Sequence, residues 1–354
     1  MEVMQLLRSA VAQDGSDIFI IPGSQISLKI NGSITPMTEE KVWPGDSEAL
    51  LSQIYALDNN RSMDRLRAEG DDDFSFSVKD VGRFRCNAYK QRNSLAAVLR
   101  VVSFQLPDPE AMHIPAPVMD LYAVRNGLVL VTGPAGSGKS TTLACLIDRI
   151  NRNLNDHIIT IEDPIEFLHQ HKKSIISQRE VAHDTGNYAT ALRAALRQAP
   201  NVILLGEMRD FETIQTALTA AETGQLVLST LHTVGAATTI DRIIDVFPAN
   251  QQQQVRVQLS MVLRAVISQQ LIPSLSGGLE PAFEIMKVNP AIQNMIREGK
   301  VHQMDNVIYA GAAQGMRTMD SDLLRLYGEK KISRDNLLLH ASNPDLLERR
   351  LAEK

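Results

Sequence analysis

Hydrophobic and polar positions in the first part of the chain follow two different periods. Apolar side chains recur at helical spacing over residues 3–11, which predicts a first helix. Apolar and polar residues then alternate over residues 26–30 and again from Ile34. The dipeptide Asn31-Gly32 between these stretches is a strong turn signal, so the segment is predicted to form a β-hairpin.

Two more patterned stretches complete this first part. Residues 46–68 have the spacing of helices, and alternation returns over residues 74–78 and 84–88. Helices beside alternating strands are typical of an α+β unit whose antiparallel sheet exposes one face. We therefore predict a small N-terminal α+β domain over residues 1–103.

A cluster of prolines follows and predicts an interruption of regular structure. Proline fixes φ and removes a hydrogen-bond donor, so it breaks helices and strands alike. We place a linker that can act as a hinge at residues 104–118. The prolines that define it are Pro107, Pro109, Pro115 and Pro117.

Beyond the linker, continuous apolar runs replace the alternation. Fully apolar strands that alternate with amphipathic helices indicate a parallel sheet covered on both faces. We predict an α/β domain over residues 119–354, with a helical tail from about residue 290. The apolar runs are residues 127–132, 157–161, 201–206 and 226–230.

Composition narrows the choice of function and compartment. The chain has 354 residues and a net charge of −5, which speaks against nucleic acid as a direct partner. Cys86 and Cys145 lie far apart and outside any CxxC pair, so neither a disulfide framework nor a zinc cluster is predicted. No apolar run approaches the ~18–20 residues that cross a bilayer, and the N-terminus lacks a signal-peptide pattern. We expect a cytoplasmic protein without direct membrane insertion.

The strongest chemical signal is the segment GPAGSGKST, which fits the phosphate-binding pattern GxxxxGK[ST]. An apolar strand precedes it and a helical pattern follows, which is the context that this motif requires. Its glycines let backbone N–H groups surround phosphate oxygens, and the helix adds its positive N-terminal end. We expect Lys139 to neutralise the β- and γ-phosphates of ATP and Ser140 to hold Mg²⁺. The predicted loop comprises Gly133, Pro134, Ala135, Gly136, Ser137, Gly138, Lys139, Ser140 and Thr141.

Acidic residues follow two of the other apolar strands. Hydrolysis needs a carboxylate near the metal and the attacking water, and ligands bind at the carboxyl ends of parallel strands. Glu162, Asp163 and Glu166 follow the second strand, and Glu207 follows the third, with Arg209 close behind. A solvated loop carboxylate is an equally good interpretation of Glu166, whereas the position of Glu207 favours a catalytic role.

One histidine ends the fourth strand at the same predicted edge. His232 follows the segment LVLSTL, and a lone histidine is more often structural than catalytic. Its place beside the other polar groups favours a role in sensing the γ-phosphate or orienting water. We include His232 among the predicted catalytic residues.

These motifs together resemble the type II/IV secretion-system ATPases. The matching segments are the Walker A loop at 133–141, the aspartate-rich box at 161–166, the atypical Walker B at 202–207 and the histidine box at 230–232. Glu207 stands where many P-loop enzymes carry aspartate, and that departure is itself typical of this family. The resemblance covers nearly the whole chain. It implies a RecA-like P-loop core with a small PAS-like N-terminal domain, using ATP and Mg²⁺.

The resemblance also implies roles for individual residues. Glu207 and Glu162 are expected to position the metal and the attacking water, and which of them is the formal base stays open. Glu207 is expected to hold Mg²⁺ either directly or through water. Asp163 and Arg209 are expected to contact the nucleotide.

A basic stretch in the N-terminal domain has a second implied role. Arg83 and Arg85 share the strand face opposite Phe84, so a solvated basic face is one interpretation. In the resembling family, arginines of this segment approach the nucleotide at a domain and subunit boundary, where they stabilise phosphoryl charge. We favour Arg85 and Arg100 as catalytic residues, with Arg83 as a nucleotide contact.

The C-terminal segment at residues 291–308 is similar to a helix of the pilus-retraction branch of this family. Gln293 and Met295 depart from the usual Arg and Leu, but Ile292, Met295 and Ile296 keep the spacing of a packing face. This similarity implies a motor for type IV pilus retraction in twitching motility. Core packing alone is the other interpretation of the helix.

Partners and alternatives follow from the same resemblance. It implies a homohexamer that acts on an inner-membrane platform protein at the pilus base, with a paralogous retraction ATPase as a further partner. The protein would then lie at the cytoplasmic face of the inner membrane through its partners. A pilus-assembly or type II secretion ATPase is an alternative, although the chain lacks the tetracysteine zinc motif of assembly ATPases. A nucleic-acid motor and a catalytically silent scaffold also stay open.

Overall fold

The structure, a computed structural model, describes residues 2–30, 32–102 and 106–352. The chain forms two compact units, Met1–Gln105 with Glu166–Leu168 and Leu106–Ile165 with His169–Lys354. Asn31 of the predicted turn and residues 104 and 105 of the predicted linker lie outside the described residues. The domain boundaries and the hinge stay predictions.

The smaller unit is built on an antiparallel sheet of six strands in the order β3-β2-β1-β6-β5-β4. The first helix, the hairpin and the alternating strands are confirmed, and the stretch at 46–68 divides into two helices. The strand β1 was not predicted. The elements are α1 (Val3–Ala12), β1 (Asp17–Ile20), β2 (Gln25–Ile30), β3 (Ser33–Lys41), α2 (Pro44–Leu57), α3 (Asp64–Glu69), β4 (Asp71–Val78), β5 (Gly82–Gln91) and β6 (Ser94–Val102).

Alternation along β5 separates the core of this unit from its polar face. Phe84 and Cys86 are fully buried, whereas Arg83 and Arg85 are half-buried on the other face, as predicted. The buried carboxylate of Asp72 accepts hydrogen bonds from Tyr55 and Arg61 in this unit. These observations confirm an α+β unit. The PAS-like assignment stays a prediction.

The larger unit is built on a seven-stranded sheet in the order β13-β12-β7-β11-β10-β8-β9. The elements of this sheet region are one short helix, the strands that follow it and the helices between them. They are α4 (Ala116–Met119), β7 (Gly127–Thr132), α5 (Lys139–Asn153), β8 (His157–Glu162), β9 (Ile175–Glu180), α6 (Tyr188–Ala195), β10 (Val202–Leu205), α7 (Phe211–Glu222), β11 (Leu226–Leu231), α8 (Ala236–Asp245), α9 (Ala249–Val262), β12 (Leu263–Pro273) and β13 (Leu279–Lys287).

A helical region follows the sheet, as predicted from residue 290 onward. Asn289 accepts a hydrogen bond from the backbone of Ile292 and starts its first helix, which ends at Gly299 in the left-handed conformation. Its elements are α10 (Pro290–Glu298), α11 (Met304–Ala310), α12 (Met319–Gly328), α13 (Arg334–His340) and α14 (Pro344–Ala352).

All neighbouring strands of the larger sheet are parallel except β12 and β13. Side chains of β7 explain why its sequence is apolar throughout. Leu128 and Leu130 pack into the core on one face, and Val129 and Val131 pack into the core on the other. The predicted mixed α/β fold with a parallel sheet is confirmed, and β9, β12 and β13 extend it.

The parallel arrangement fixes where polar residues collect. The carboxyl ends of β7, β8, β10 and β11 point to one edge of the sheet, so the residues that follow these strands lie along that edge. Both cysteines are free and buried, as the sequence predicts. No helix in the described part of the chain combines the length and the apolar character needed to cross a bilayer.

Candidate nucleotide site

The predicted phosphate loop joins β7 to α5 as a tight backbone turn. Gly133, Gly136 and Gly138 adopt φ values of 141°, 76° and 86°, a range that strongly favours glycine. A Cβ added to Gly133 would also lie 2.8 Å from Ser137 Oγ, so the loop has no room for a side chain there. The turn therefore leaves the backbone free to approach a ligand closely.

Lys139 is the first residue of α5 and is held across the loop. Its Nζ donates hydrogen bonds to the carbonyl oxygens of Gly133 at 2.9 Å and Pro134 at 2.8 Å. No side chain caps the amino end of α5 within the described residues, so its first N–H groups face the loop. Ser140 and Thr141 follow and are half-buried. Pro134 and Ala135 are exposed at the tip of the loop.

The hydrogen-bond donors of the phosphate loop suit a negatively charged oxygen ligand. The hydroxyl of Ser137 is buried and has no hydrogen-bond partner among the described residues. Burying a hydroxyl without a hydrogen-bond partner destabilises the fold. The Ser137 hydroxyl therefore indicates a ligand that would accept its hydrogen bond. Together with an ammonium group and the open helix end, this donor set suits phosphate oxygens.

A glutamine that the sequence did not identify packs against the phosphate loop. Gln269 on β12 is buried, and its Oε1 accepts a hydrogen bond from Thr142 Oγ1 at 2.8 Å. Its Nε2 would lie 2.8 Å from a Cβ on Gly138. The amide therefore packs directly against the last glycine of the loop. A polar residue inside an apolar strand was the only signal that could have identified it.

The first predicted acid is fixed by its neighbours. Glu162 ends β8 and is half-buried, and its Oε1 accepts hydrogen bonds from Thr160 Oγ1 at 2.5 Å and Gln178 Nε2 at 3.4 Å. Asp163 follows directly and is exposed. Glu166 is also exposed and clusters with the smaller unit. The structure thus holds Glu162 in place and leaves Asp163 open to a ligand.

The second predicted acid meets two of the other predicted residues. Glu207 Oε2 lies 2.7 Å from Arg209 Nε and 3.4 Å from His232 Nε2. The carboxylate is 19% exposed, and the histidine is 48% exposed. These three residues line a cavity of about 330 Å³ at the carboxyl edge of the sheet. The predicted grouping of Glu207, Arg209 and His232 is therefore present.

Strand order brings the two acids and the loop to the same edge. The strands that precede Glu162 and Glu207 are neighbours, and the backbone N–H of Gly206 donates to the carbonyl of Ile161 at 2.8 Å. One strand, β11, separates β10 from the strand that precedes the loop, which is a spacing of about 10 Å. That distance suits a nucleotide whose phosphates extend from the loop to the acids.

The predicted arginines form ion pairs within the smaller unit. Arg85 Nη2 lies 2.5 Å from Asp73 Oδ2, and Arg100 Nε lies 3.0 Å from Asp17 Oδ1. Arg85 and Arg100 face each other on paired strands and line a cavity of about 300 Å³. Arg83 lies two residues before Arg85 on the same face of β5. Their role at the nucleotide stays a prediction.

A cavity in the smaller unit is a poorer candidate than this edge. It measures about 590 Å³ and lies in the smaller unit between β3 and α2. Its lining includes Glu39, Glu40 and Asp46 and contains none of the predicted site residues. A large volume does not by itself make a catalytic site. The smaller cavity is the better candidate because Glu207, Arg209 and His232 line it.

Comparison with known proteins assigns the family. The family model for type II/IV secretion system proteins matches residues 1–333. The chain belongs to this family. The resemblance seen in the Walker and histidine boxes is thereby confirmed, and the secretion-ATPase fold is shown for nearly the whole chain.

Individual members of the secretion ATPase family are similar over their full length. The chain is 44% identical over 345 residues to the type IV pilus retraction ATPase PilT of Pseudomonas aeruginosa, covering 98% of this chain and 99% of that protein. It is 39% identical over 344 residues to the type IV pilus ATPase PilU of the same organism, covering 97% and 91%. A crystal structure of the pilus retraction motor PilT with bound ADP superposes with a TM-score of 0.90 at 44% identity, covering 99% of both chains.

Proposed function

We propose that this protein is an ATP-hydrolysing motor that retracts type IV pili in twitching motility. One observation carries the proposal: full-length similarity to PilT coincides with a phosphate loop, two acids and a histidine on one sheet edge. A nucleotide clamp would need the loop alone. The carboxylates beside it support hydrolysis, and the relatives' names support pilus retraction as the work done.

In the proposed site the loop residues bind the phosphates. Lys139 leaves its two carbonyl partners and donates to the terminal phosphates, and Ser137 donates through its buried hydroxyl. Ser140 and Glu207 would hold Mg²⁺, the glutamate either directly or through water. Bound Mg²⁺ would supply charge neutralisation for the phosphoryl group.

Glu207 is our candidate for the residue that holds the attacking water. It lines the cavity beside the Arg209 guanidinium and the His232 imidazole, whereas Glu162 is already engaged by Thr160 and Gln178. Glu162 would then help to position the metal. His232 senses the terminal phosphate in this proposal. Its Nε2 lies 3.4 Å from Glu207 Oε2, so it can couple phosphate binding to that carboxylate.

The motor is proposed to act as a homohexamer on an inner-membrane platform protein at the pilus base. Hydrolysis would change the angle between domains through a hinge at residues 104–118. Arg83, Arg85 and Arg100 would reach nucleotide in the assembled ring. The protein would lie at the cytoplasmic face of the inner membrane, where a paralogous retraction ATPase is a further partner.

Deletion in the native organism separates retraction from assembly. A strain without the gene is expected to keep its surface pili and to lose twitching motility, because assembly does not depend on this motor. Loss of surface pili would contradict retraction and favour an assembly ATPase. Normal twitching, in a strain that also lacks every paralogue, would contradict both.

Purified protein tests the chemistry independently. Wild-type protein is expected to release phosphate from ATP, and DNA or RNA should not stimulate the rate. Lys139→Ala should lose ATP binding. Exposed Lys173→Ala is the matched control, since Lys173 precedes β9 at the amino edge of the sheet and the loop lies at the carboxyl edge. Strong stimulation by nucleic acid would favour the nucleic-acid motor, and binding without turnover would favour a silent scaffold.

A further inference from the structure

Tyr188 lies beside the proposed catalytic acids although the phosphate motifs do not include it. It is the first residue of α6, whose start is fixed by Asn187 Oδ1 accepting a hydrogen bond from Thr190 N at 2.8 Å. Its ring is half-buried and packs against the core of the larger unit. The backbone and the ring therefore hold the hydroxyl in one place.

The hydroxyl lies directly over the glycine that precedes Glu207. A Cβ built on Gly206 would be 2.7 Å from Tyr188 Oη and 3.4 Å from the Cα of Glu162. The φ of Gly206 is outside the left-handed region, so its backbone does not itself require glycine. A side chain at this position would have to displace the tyrosine hydroxyl, which fills the space beside the glycine.

The surroundings of this hydroxyl are acidic. Burial raises the pKa of Tyr188, the carboxylates of Glu207, Asp163 and Glu162 raise it further, and Arg209 opposes them in part. The phenol therefore stays protonated across the physiological range and offers an O–H donor. No hydrogen bond involves this hydroxyl among the residues that the structure describes, so the donor is available.

We propose that Tyr188 is a positioning residue for ATP hydrolysis, whose O–H donates a hydrogen bond to the carboxylate of Glu207 when nucleotide is bound. This inference rests on the proposed function. A neutral donor beside a carboxylate stabilises the charged form and fixes which oxygen faces the water. It does so without adding a charge that would compete with the metal.

Tyr188→Phe tests the proposal while keeping the ring. A hydrogen bond to a charged group contributes about 1.5–3 kcal/mol, so kcat should fall roughly tenfold to a hundredfold. KM for ATP should stay within about twofold, because the phosphate loop is unchanged. A side chain that only packs would not lower kcat at constant KM in this variant, because phenylalanine keeps the packing ring.

Tyr122→Phe is the matched control. Tyr122 lies in the same unit, with the Arg149 guanidinium 5.1 Å from its ring centroid. Its loss of a hydroxyl should leave kcat and KM for ATP unchanged. An unchanged kcat in Tyr188→Phe, with active wild-type protein, would overturn the inference alone. Wild-type protein without ATPase activity would overturn the proposed function as well.

Gly206→Ala provides a second test of the contact between Tyr188 and Gly206. Its added methyl group should displace the Tyr188 hydroxyl and lower kcat to the level of Tyr188→Phe. In the double variant the alanine should cost little more, because its methyl group would occupy the space that the hydroxyl leaves. Fully additive losses would show that Gly206 acts independently of Tyr188 and would contradict the proposed contact.

Discussion

Gln269 accepts a hydrogen bond from Thr142 at 2.8 Å and thereby joins β12 to the helix that follows the phosphate loop. Both side chains are buried, so no water replaces this contact. The nucleotide loop thus depends on a strand outside the Walker motifs. Support of this kind keeps a binding loop preformed, which lowers the cost of ordering it around a ligand.

Gln269→Leu should therefore weaken both the fold and nucleotide binding. Loss of the acceptor leaves the Thr142 hydroxyl buried without this partner, which costs about 1–3 kcal/mol. The free energy of unfolding should fall by that amount in urea titrations. KM for ATP should rise roughly tenfold, since ~1.4 kcal/mol corresponds to a factor of ten.

Gln270→Leu is the control for this prediction. Gln270 is the next residue of β12, and its Oε1 lies 3.0 Å from His340 Nδ1. Its loss should lower stability without changing KM for ATP. Combining Gln269→Leu with Thr142→Val should cost less than the sum of the two single changes, because both remove the same hydrogen bond. Equal effects of Gln269→Leu and Gln270→Leu on KM would contradict the supporting role.

Arg85 and Arg100 are expected to act on the chemical step. Each is held by a carboxylate in the smaller unit and lines the same cavity. Arginines that stabilise phosphoryl charge contribute on the order of a thousandfold to kcat. Arg85→Ala and Arg100→Ala should thus lower kcat strongly while ATP binding is retained, as measured by steady-state kinetics and a fluorescent nucleotide.

Arg67→Ala is the control for the two arginine variants. Arg67 belongs to the same unit and pairs with Glu48 at the surface, with both side chains more than half exposed. A surface ion pair of this kind contributes little to stability. If Arg67→Ala lowers kcat as much as Arg85→Ala, the arginines act through general charge and not through the nucleotide.

His169 should make stability depend on pH. Burial lowers the pKa of this imidazole to about 4, while Asp148 raises it by a smaller amount and Lys172 lowers it further. The unfolded chain binds a proton below pH ~6.5, whereas the folded protein does so only near its own lower pKa. Stability from the neutral His169 is thus complete above pH ~6.5 and is lost as the pH falls toward 4, by about 3 kcal/mol in total.

Replacing this histidine should flatten the acid side of the stability profile. His169→Gln should have a smaller loss of unfolding midpoint than wild type between pH ~6.5 and 4. His302→Gln, at an exposed position, should keep the wild-type slope. A wild-type slope in His169→Gln would show that His169 does not control this part of the profile.

Sequence reasoning succeeded where the structural cause is local. The glycines of the phosphate loop, the pairing of β2 with β3 and the packing face of α10 each depend on residues a few positions apart. The predicted face is confirmed, because Ile292 and Ile296 are fully buried. Continuous apolar strands likewise identified the parallel sheet, since β7 packs on both faces.

Contacts between distant segments were not accessible to the same reasoning. Thr142 and Gln269 are 127 positions apart, and the meeting of Tyr188 with Gly206 depends on how α6 packs beside β8. The strand β12 was missed because Ser268 and Gln269 interrupt its apolar run although both are buried. Polar residues that are buried for a supporting role look like surface residues in a sequence.

The most direct test of the account is to observe labelled pili in living cells that carry Glu207→Gln as the only copy, without paralogues. This carboxylate lies at the centre of the proposed site, between Arg209 and His232. The amide should keep ATP binding and abolish turnover, so pili should extend and then fail to shorten, while wild-type cells retract theirs. Normal shortening of pili in Glu207→Gln cells would contradict the claim that ATP hydrolysis at this site drives retraction.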